Sequence, residues 1–130
     1  MEDFPALDLT NIELADVYDK ISKYCLDKRD YETGGIVKKD LSVSFFEPIA
    51  KHEAVYLPDF DFYLEVINNK KDILFCFHSH LQNDDASEED LKFIKVYNIP
   101  SLIYIINSNK FLSVNTRYEK SRFSWPPAEI

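Results

Sequence analysis

Residues 73–80 have the sequence Ile-Leu-Phe-Cys-Phe-His-Ser-His, and this stretch decides the fold. Its first five residues are a continuous apolar run of strand length, which is typical of a strand buried on both faces. The two histidines follow at the carboxyl end of the strand, where a side chain is accessible to solvent but its backbone is held rigidly in the sheet. Because side chains at i and i+2 of a strand point to the same face, the ring nitrogens of His78 and His80 can share one ion.

Helices and strands are predicted on both sides of this strand. Apolar residues recur at helical spacing after a capping box at Thr10-Asn11-Ile12-Glu13, and Ser87 opens another helix. Helices are predicted over residues 10–26, 60–67 and 87–97, and strands over 36–38, 41–46, 73–77, 102–106 and 111–114. This mixture predicts an α/β (α+β) fold. We expect one domain over residues 1–130, with an extended C-terminal tail from about residue 115.

Composition limits the function classes. The chain has 130 residues, 45% of them hydrophobic, which suits one domain with a substantial core. Its net charge of −8 argues against nucleic acid or an anionic membrane as a partner. Cys25 and Cys76 lie in a predicted helix and a predicted buried strand, so we expect two reduced core thiols. Neither a signal peptide nor a membrane span is predicted, so we expect a soluble protein that is not exported by the usual signal.

Three residues are candidate metal ligands. Asp90 follows His80 by ten positions, in the first turn of a predicted helix, so the connecting loop can return its carboxylate to the histidines. Two histidines and one carboxylate are the ligand set of a catalytic zinc, because the fourth tetrahedral position stays open for water. The pattern therefore predicts Zn²⁺ bound by His78, His80 and Asp90.

Each part of this pattern also has a plainer interpretation. Ser87 and Asp90 form a possible capping box, and Asp84, Asp85, Glu88 and Glu89 suit the start of a helix through its dipole. These four acids would flank the open metal position if the site exists. A helix that began one residue later would let Glu89 compete with Asp90 for the metal. We interpret Ser79, which points to the opposite face, as structural, and we expect His52 to be exposed.

An upstream motif, Glu32-Thr33-Gly34-Gly35, completes a family pattern. With His-Ser-His and Ser-x-x-Asp, the sequence resembles the JAMM (MPN-type, JAB-domain) zinc metallopeptidases from Glu32 to about Val114. The resemblance implies an MPN/JAB-like fold, in which helices flank a mixed curved β-sheet and the zinc lies at the end of a central strand. It implies that Glu32 is the catalytic base and that Ser87 stabilises the oxyanion. Leu81 replaces the usual proline, and the loop from His80 to Asp90 is one residue shorter than usual.

The resemblance is closest to the compact prokaryotic and phage tail-tip branch of the family. We therefore expect a zinc-dependent phage tail-associated peptidase that acts on cell-wall peptides, with phage tail proteins as possible partners. A cytoplasmic isopeptidase that processes ubiquitin-like or sulfur-carrier proteins is the first alternative. A non-catalytic MPN scaffold, or a structural tail component, is the second.

Overall fold

A six-stranded mixed sheet forms the centre of the computed structural model, which describes residues 12–126. In chain order the elements are α1 (Ile12–Asp27), β1 (Gly34–Lys38), β2 (Val43–Phe46), α2 (Phe60–Asn68), β3 (Ile73–His80), α3 (Glu88–Tyr97), β4 (Ser101–Ile105), β5 (Lys110–Val114) and β6 (Lys120–Ser124). The strand order is β2-β1-β3-β4-β5-β6. Strands β3 and β4 are parallel, and the other neighbouring pairs are antiparallel.

Helix α3 connects the one parallel pair in the described sheet. A parallel pair needs a crossover connection, and a helix is the usual one. The carboxyl end of β3, the loop over residues 81–87 and the first turn of α3 therefore lie side by side. This arrangement brings the end of β3, with its histidines, next to the start of the helix that carries Asp90.

The two faces of the sheet have separate cores. Helix α1 covers one face, where its buried Tyr18 and Ile21 belong to the same cluster as Phe75, Phe77 and Leu102. On the other face, α2 buries Phe62 and Val66 with Cys76, and α3 packs Ile94 against β4 and β5. Because strand residues alternate, His78 and His80 share the face of Cys76 and lie on the side of α2 and α3.

Most of the predicted elements are present. The mixed α/β architecture is confirmed, and β3 continues beyond Phe77 through both histidines. Thr10 and Asn11 of the predicted capping box lie outside the described residues. Cys25 and Cys76 are buried free thiols, as predicted. Within residues 12–126, no helix has the length and apolar character needed to cross a membrane.

The C-terminal segment contains a strand that the sequence analysis missed. Residues 120–124 form β6, which pairs with β5 at one edge of the sheet. The segment predicted as an extended tail is therefore extended but is part of the sheet. Trp125 is buried, and its indole Nε1 donates a hydrogen bond to Asp19 Oδ1 at 2.9 Å. The reason for the miss is that β6 is largely exposed and polar, so it lacks the apolar alternation of an inner strand.

The adjacent glycines of β1 permit close packing beside the histidines. Gly34 pairs with His78 in the register of β1 and β3. A Cβ atom at position 34 would lie 2.5 Å from both the Phe77 carbonyl oxygen and the Tyr56 ring. Gly34 therefore leaves the space that Tyr56 occupies, and the Tyr56 ring lies parallel to the His78 ring with a centroid separation of 6.3 Å.

Candidate metal centre

Three side chains converge at the carboxyl end of β3. His78 Nε2 lies 2.9 Å from Asp90 Oδ1, and His80 Nε2 lies 3.1 Å from Asp90 Oδ2. The two Nε2 atoms are 3.2 Å apart. His80 is buried, and the side chains of His78 and Asp90 are only 13% and 12% exposed. The structure thus brings together the three residues that the sequence pattern selected.

The start of α3 fixes the Asp90 carboxylate. Ser87 is the N-cap: its Oγ accepts a hydrogen bond from the Asp90 amide at 3.1 Å, and its own amide donates to Asp90 Oδ2 at 2.8 Å. The capping box is therefore present, and it holds the same carboxylate that contacts both histidines. Glu89 is exposed, and it is Asp90 that contacts the histidines.

A backbone carbonyl sets the tautomer of His80. The Nδ1 atom lies 3.1 Å from the Asn83 carbonyl oxygen, which can only accept a hydrogen bond, so Nδ1 carries the proton. In the neutral ring, Nε2 then presents a bare lone pair to Asp90 and His78. An imidazole whose other nitrogen is held in this way is the usual form of a metal-bound histidine.

The three close contacts are compatible with a shared cation. The contacting polar atoms lie 2.9–3.2 Å apart, and imidazole nitrogens and carboxylate oxygens both bind metal ions. One metal ion could be held by all three residues at once. In a tetrahedral zinc site with bonds of about 2.0–2.1 Å, ligand atoms are about 3.3 Å apart, close to the observed separations.

Glu32 lies beside these donors. It precedes β1, and its amide donates to the His52 carbonyl oxygen at 2.8 Å. The neighbouring Thr33 amide donates to Ser79 Oγ at 3.0 Å, so Ser79 has the structural position that was expected. Ligand atoms of Glu32, His78 and His80 all lie within 4.8 Å of one another, a grouping that could hold a metal ion.

The two carboxyl groups of the centre, Glu32 and Asp90, have pKa values shifted in opposite directions. Burial raises the pKa of Glu32 to about 7, an effect that Asp90 increases and the histidines oppose. Burial acts in the same direction on Asp90, but the charge and hydrogen bond of His78 and the hydrogen bond from the Ser87 amide outweigh it and hold the Asp90 pKa well below its usual range. Asp90 is therefore a permanent anion, whereas the Glu32 carboxyl can gain and lose a proton near neutral pH.

Neither a family model nor a curated protein matches this sequence. The chemistry of the centre must therefore be inferred from its donor set. That set holds two imidazoles and a carboxylate in mutual contact, with a second, titratable carboxyl beside them.

Two cavities adjoin the centre. The first, of about 320 Å³, extends between α2 and α3. The second, of about 370 Å³, lies against the loop residues Leu81, Gln82 and Asn83. Glu32, His80 and Ser87 line both cavities. A chain-like ligand could thus extend in two directions from the centre.

The acidic residues of the loop are arranged differently from the expected rim. Asp85 Oδ1 lies 2.7 Å from Lys120 Nζ and 3.4 Å from Arg122 Nη2, and the same guanidinium donates to the Asp84 carbonyl oxygen at 3.1 Å. The charge of Asp85 is therefore balanced by β6. Of the four acids, Glu89 lines the first cavity. Lys120 and Arg122 had no recognisable sequence signal, because their partners are 35 or more positions away.

The histidine outside the centre is exposed, as predicted. The His52 Nδ1 atom accepts a hydrogen bond from the Ala54 amide at 3.0 Å. Its backbone carbonyl nevertheless matters, because it accepts the Glu32 amide and so fixes the chain just before β1. This role is independent of the side chain and left no signal in the sequence.

The raised pKa of Glu32 predicts a pH-dependent stability of the metal-free protein. The pKa rises from 4.5 to about 7 on folding, so folding favours the protonated carboxyl. This stabilisation is full below pH 4.5 and is lost as the pH rises to about 7. The free energy of unfolding of Glu32→Gln, minus that of the wild type, should therefore increase by roughly 3 kcal/mol as the pH rises from about 4 to about 8. Urea unfolding of both chelator-treated proteins measures this gain, and a difference that does not change with pH would contradict it.

Proposed function

We propose that this protein is a JAMM-type zinc metallopeptidase with an MPN/JAB-like fold, which hydrolyses a peptide or isopeptide bond. The contact of His78 and His80 with one carboxylate, Asp90, is the observation that carries the proposal. Imidazole and carboxylate donors suit zinc, and three protein ligands leave a position open for catalysis. A zinc ion held by these residues would act as a Lewis acid on a carbonyl oxygen and would lower the pKa of bound water to about 7.

Glu32 has the properties of the proton carrier. Its carboxyl is buried beside the histidines and lines both cavities, so an amide that spans the centre would lie next to it. A carboxylate in this position can take a proton from water and return it to the leaving amine. We therefore assign Glu32 as the general base and Asp90 as the ligand.

Ser87 has the properties of an oxyanion donor. Its Oγ already accepts a hydrogen bond from the Asp90 amide, so the hydroxyl hydrogen is available to donate elsewhere. The side chain lines both cavities, which places it beside a bound amide. A donor of this kind contributes about 2.7–4 kcal/mol to transition-state stabilisation in comparable sites. Capping the helix and stabilising the oxyanion are thus compatible roles.

The substrate has two candidates. The compact layout resembles the phage tail-tip branch of the family, and we propose cell-wall peptides as the first substrate, with the protein associated with a phage tail. The second candidate is a protein substrate, such as a conjugate of a ubiquitin-like protein. The aromatic cavity between α2 and α3 favours it, because cell-wall stem peptides carry mostly small or charged side chains.

A panel of substrates tests the proposed function. Zinc-loaded protein is incubated with purified muropeptides and, separately, with a ubiquitin-like conjugate, and the products are identified by mass spectrometry. We expect an amide product from one of the two that disappears when zinc is removed by a chelator. Cleavage of muropeptides alone supports the tail-associated peptidase, and cleavage of the conjugate alone supports the isopeptidase. Absence of any zinc-dependent product from peptides and conjugates alike would leave the scaffold alternative.

A further inference from the structure

The first cavity begins at the metal centre and has a floor of small side chains. Cys76 lies two residues before His78 on the same face of β3, and it pairs with Ser101 in the parallel register of β3 and β4. Both side chains are buried and line the cavity. Because the side chains of Cys76 and Ser101 are small, they leave space for a deep cavity beside the metal centre.

Aromatic rings form the walls. Phe62 and Tyr63 come from α2, and Phe93 and Tyr97 come from α3. The rings of Phe62 and Phe93 have centroids 6.0 Å apart, and those of Tyr63 and Tyr97 are 6.3 Å apart. These ring contacts tie the two helices together, so the walls are held by the packing of the domain.

The residues that line the cavity do not favour a charged substrate side chain. Apart from the side chains of the metal centre, the charged residues that line it within the described chain are Glu89 and Lys92. Both are exposed, and their charges are opposite. An ammonium or carboxylate in the aromatic part would lose its hydration without gaining a buried partner of opposite charge.

We propose that this cavity is a specificity pocket for a large apolar side chain, of leucine or phenylalanine size, next to the scissile amide. The inference rests on the proposed amide hydrolysis and favours the second substrate candidate, a protein, over cell-wall peptides. The volume of about 320 Å³ is sufficient for one such side chain. Transfer of a leucine or phenylalanine side chain from water to an apolar site increases binding affinity by about 10- to 100-fold.

Binding to a catalytically inactive protein tests the pocket separately from turnover. Zinc-loaded Glu32→Gln is titrated by calorimetry with blocked peptides of sequence Gly-Gly-X-Gly-Gly, in which X is Phe, Leu, Lys, Glu or Gly. We expect the Phe and Leu peptides to bind at least about 10-fold more tightly than the Gly peptide. The Lys and Glu peptides should bind no more tightly than the Gly peptide.

Two further substitutions in the same background locate the effect. Val96 lines the cavity but is 64% exposed, so Val96→Trp should obstruct the cavity without disturbing the core. It should reduce the Phe preference to below about 3-fold and leave Gly-peptide binding unchanged. Phe60→Ala is the matched control, because Phe60 is an exposed aromatic residue of α2 outside the cavity lining. It should leave the preference intact.

The outcomes separate the two proposals. Four results would each contradict the proposed specificity pocket. They are equal binding of all peptides, no binding of the Phe peptide, tightest binding of the Lys peptide, and a Phe preference that persists in Val96→Trp. If the Phe preference is found but zinc-loaded wild type cleaves neither these peptides nor the muropeptides and the conjugate, the pocket is supported and the proposed function is contradicted.

Discussion

The His78→Ala/His80→Ala double variant is expected to bind no zinc under conditions in which the wild type binds one ion per chain. The substitution removes two of the three donors that meet at 2.9–3.2 Å, so Asp90 alone would remain. Loss of an outer partner of a metal ligand already costs about 10- to 100-fold in affinity, so loss of two ligands should cost at least about 10³-fold. Elemental analysis of protein purified without chelator, followed by zinc titration, measures the result.

His52→Ala is the matched control for that experiment. His52 is the one histidine of the chain outside the centre and is exposed, and its backbone carbonyl, which accepts the Glu32 amide, is retained in the variant. Its substitution should leave zinc binding unchanged. A wild type that takes up no zinc, or a double variant that keeps it, would contradict the assignment of the ligands.

Replacing Glu32 with glutamine should separate metal binding from chemistry. The amide has the size of the carboxyl and keeps a hydrogen bond, but it cannot accept the proton of the attacking water. We therefore expect turnover to fall by about 10²- to 10⁴-fold while zinc binding stays at one per chain. The rate of amide cleavage under single-turnover conditions, with zinc content measured on the same preparation, checks both parts.

The same substitution at an exposed position provides the control. Glu53 lines the second cavity beside Glu32 but is exposed, and Glu53→Gln should retain the wild-type rate. Loss of zinc in Glu32→Gln would instead identify Glu32 as a ligand, in keeping with its distance of less than 4.8 Å from both histidines. Full activity in Glu32→Gln would exclude it as the base.

The sequence was most informative where local rules act. The spacing of His78 and His80 on a strand, and of Ser87 and Asp90 at a helix start, depends on backbone geometry that a few residues determine. Those rules predicted which side chains meet. They also account for the position of Asp90 after the loop over residues 81–87, because the capping box orients its carboxylate at the start of α3.

Features that depend on distant parts of the chain were not predictable in this way. The aromatic cavity needs α2 and α3 to pack on the same face of the sheet, and neither helix alone distinguishes a cavity wall from a core. The contacts of Lys120 and Arg122 with the loop at residues 84 and 85 depend on β6 pairing with β5. The carbonyls of Asn83 and His52 act through the backbone, where residue type carries little information.

The Asp90 carboxylate belongs to two structures at once, and this has a kinetic consequence. Oδ2 accepts the Ser87 amide that begins α3 and also lies 3.1 Å from His80 Nε2. If the proposed zinc is bound by Asp90, fraying of the first helical turn would withdraw that ligand, and the ion would in turn stabilise the turn. The dissociation rate of such an ion would then depend on the opening of one helix end, so a partner that destabilises or stabilises the start of α3 would change how long the ion stays bound.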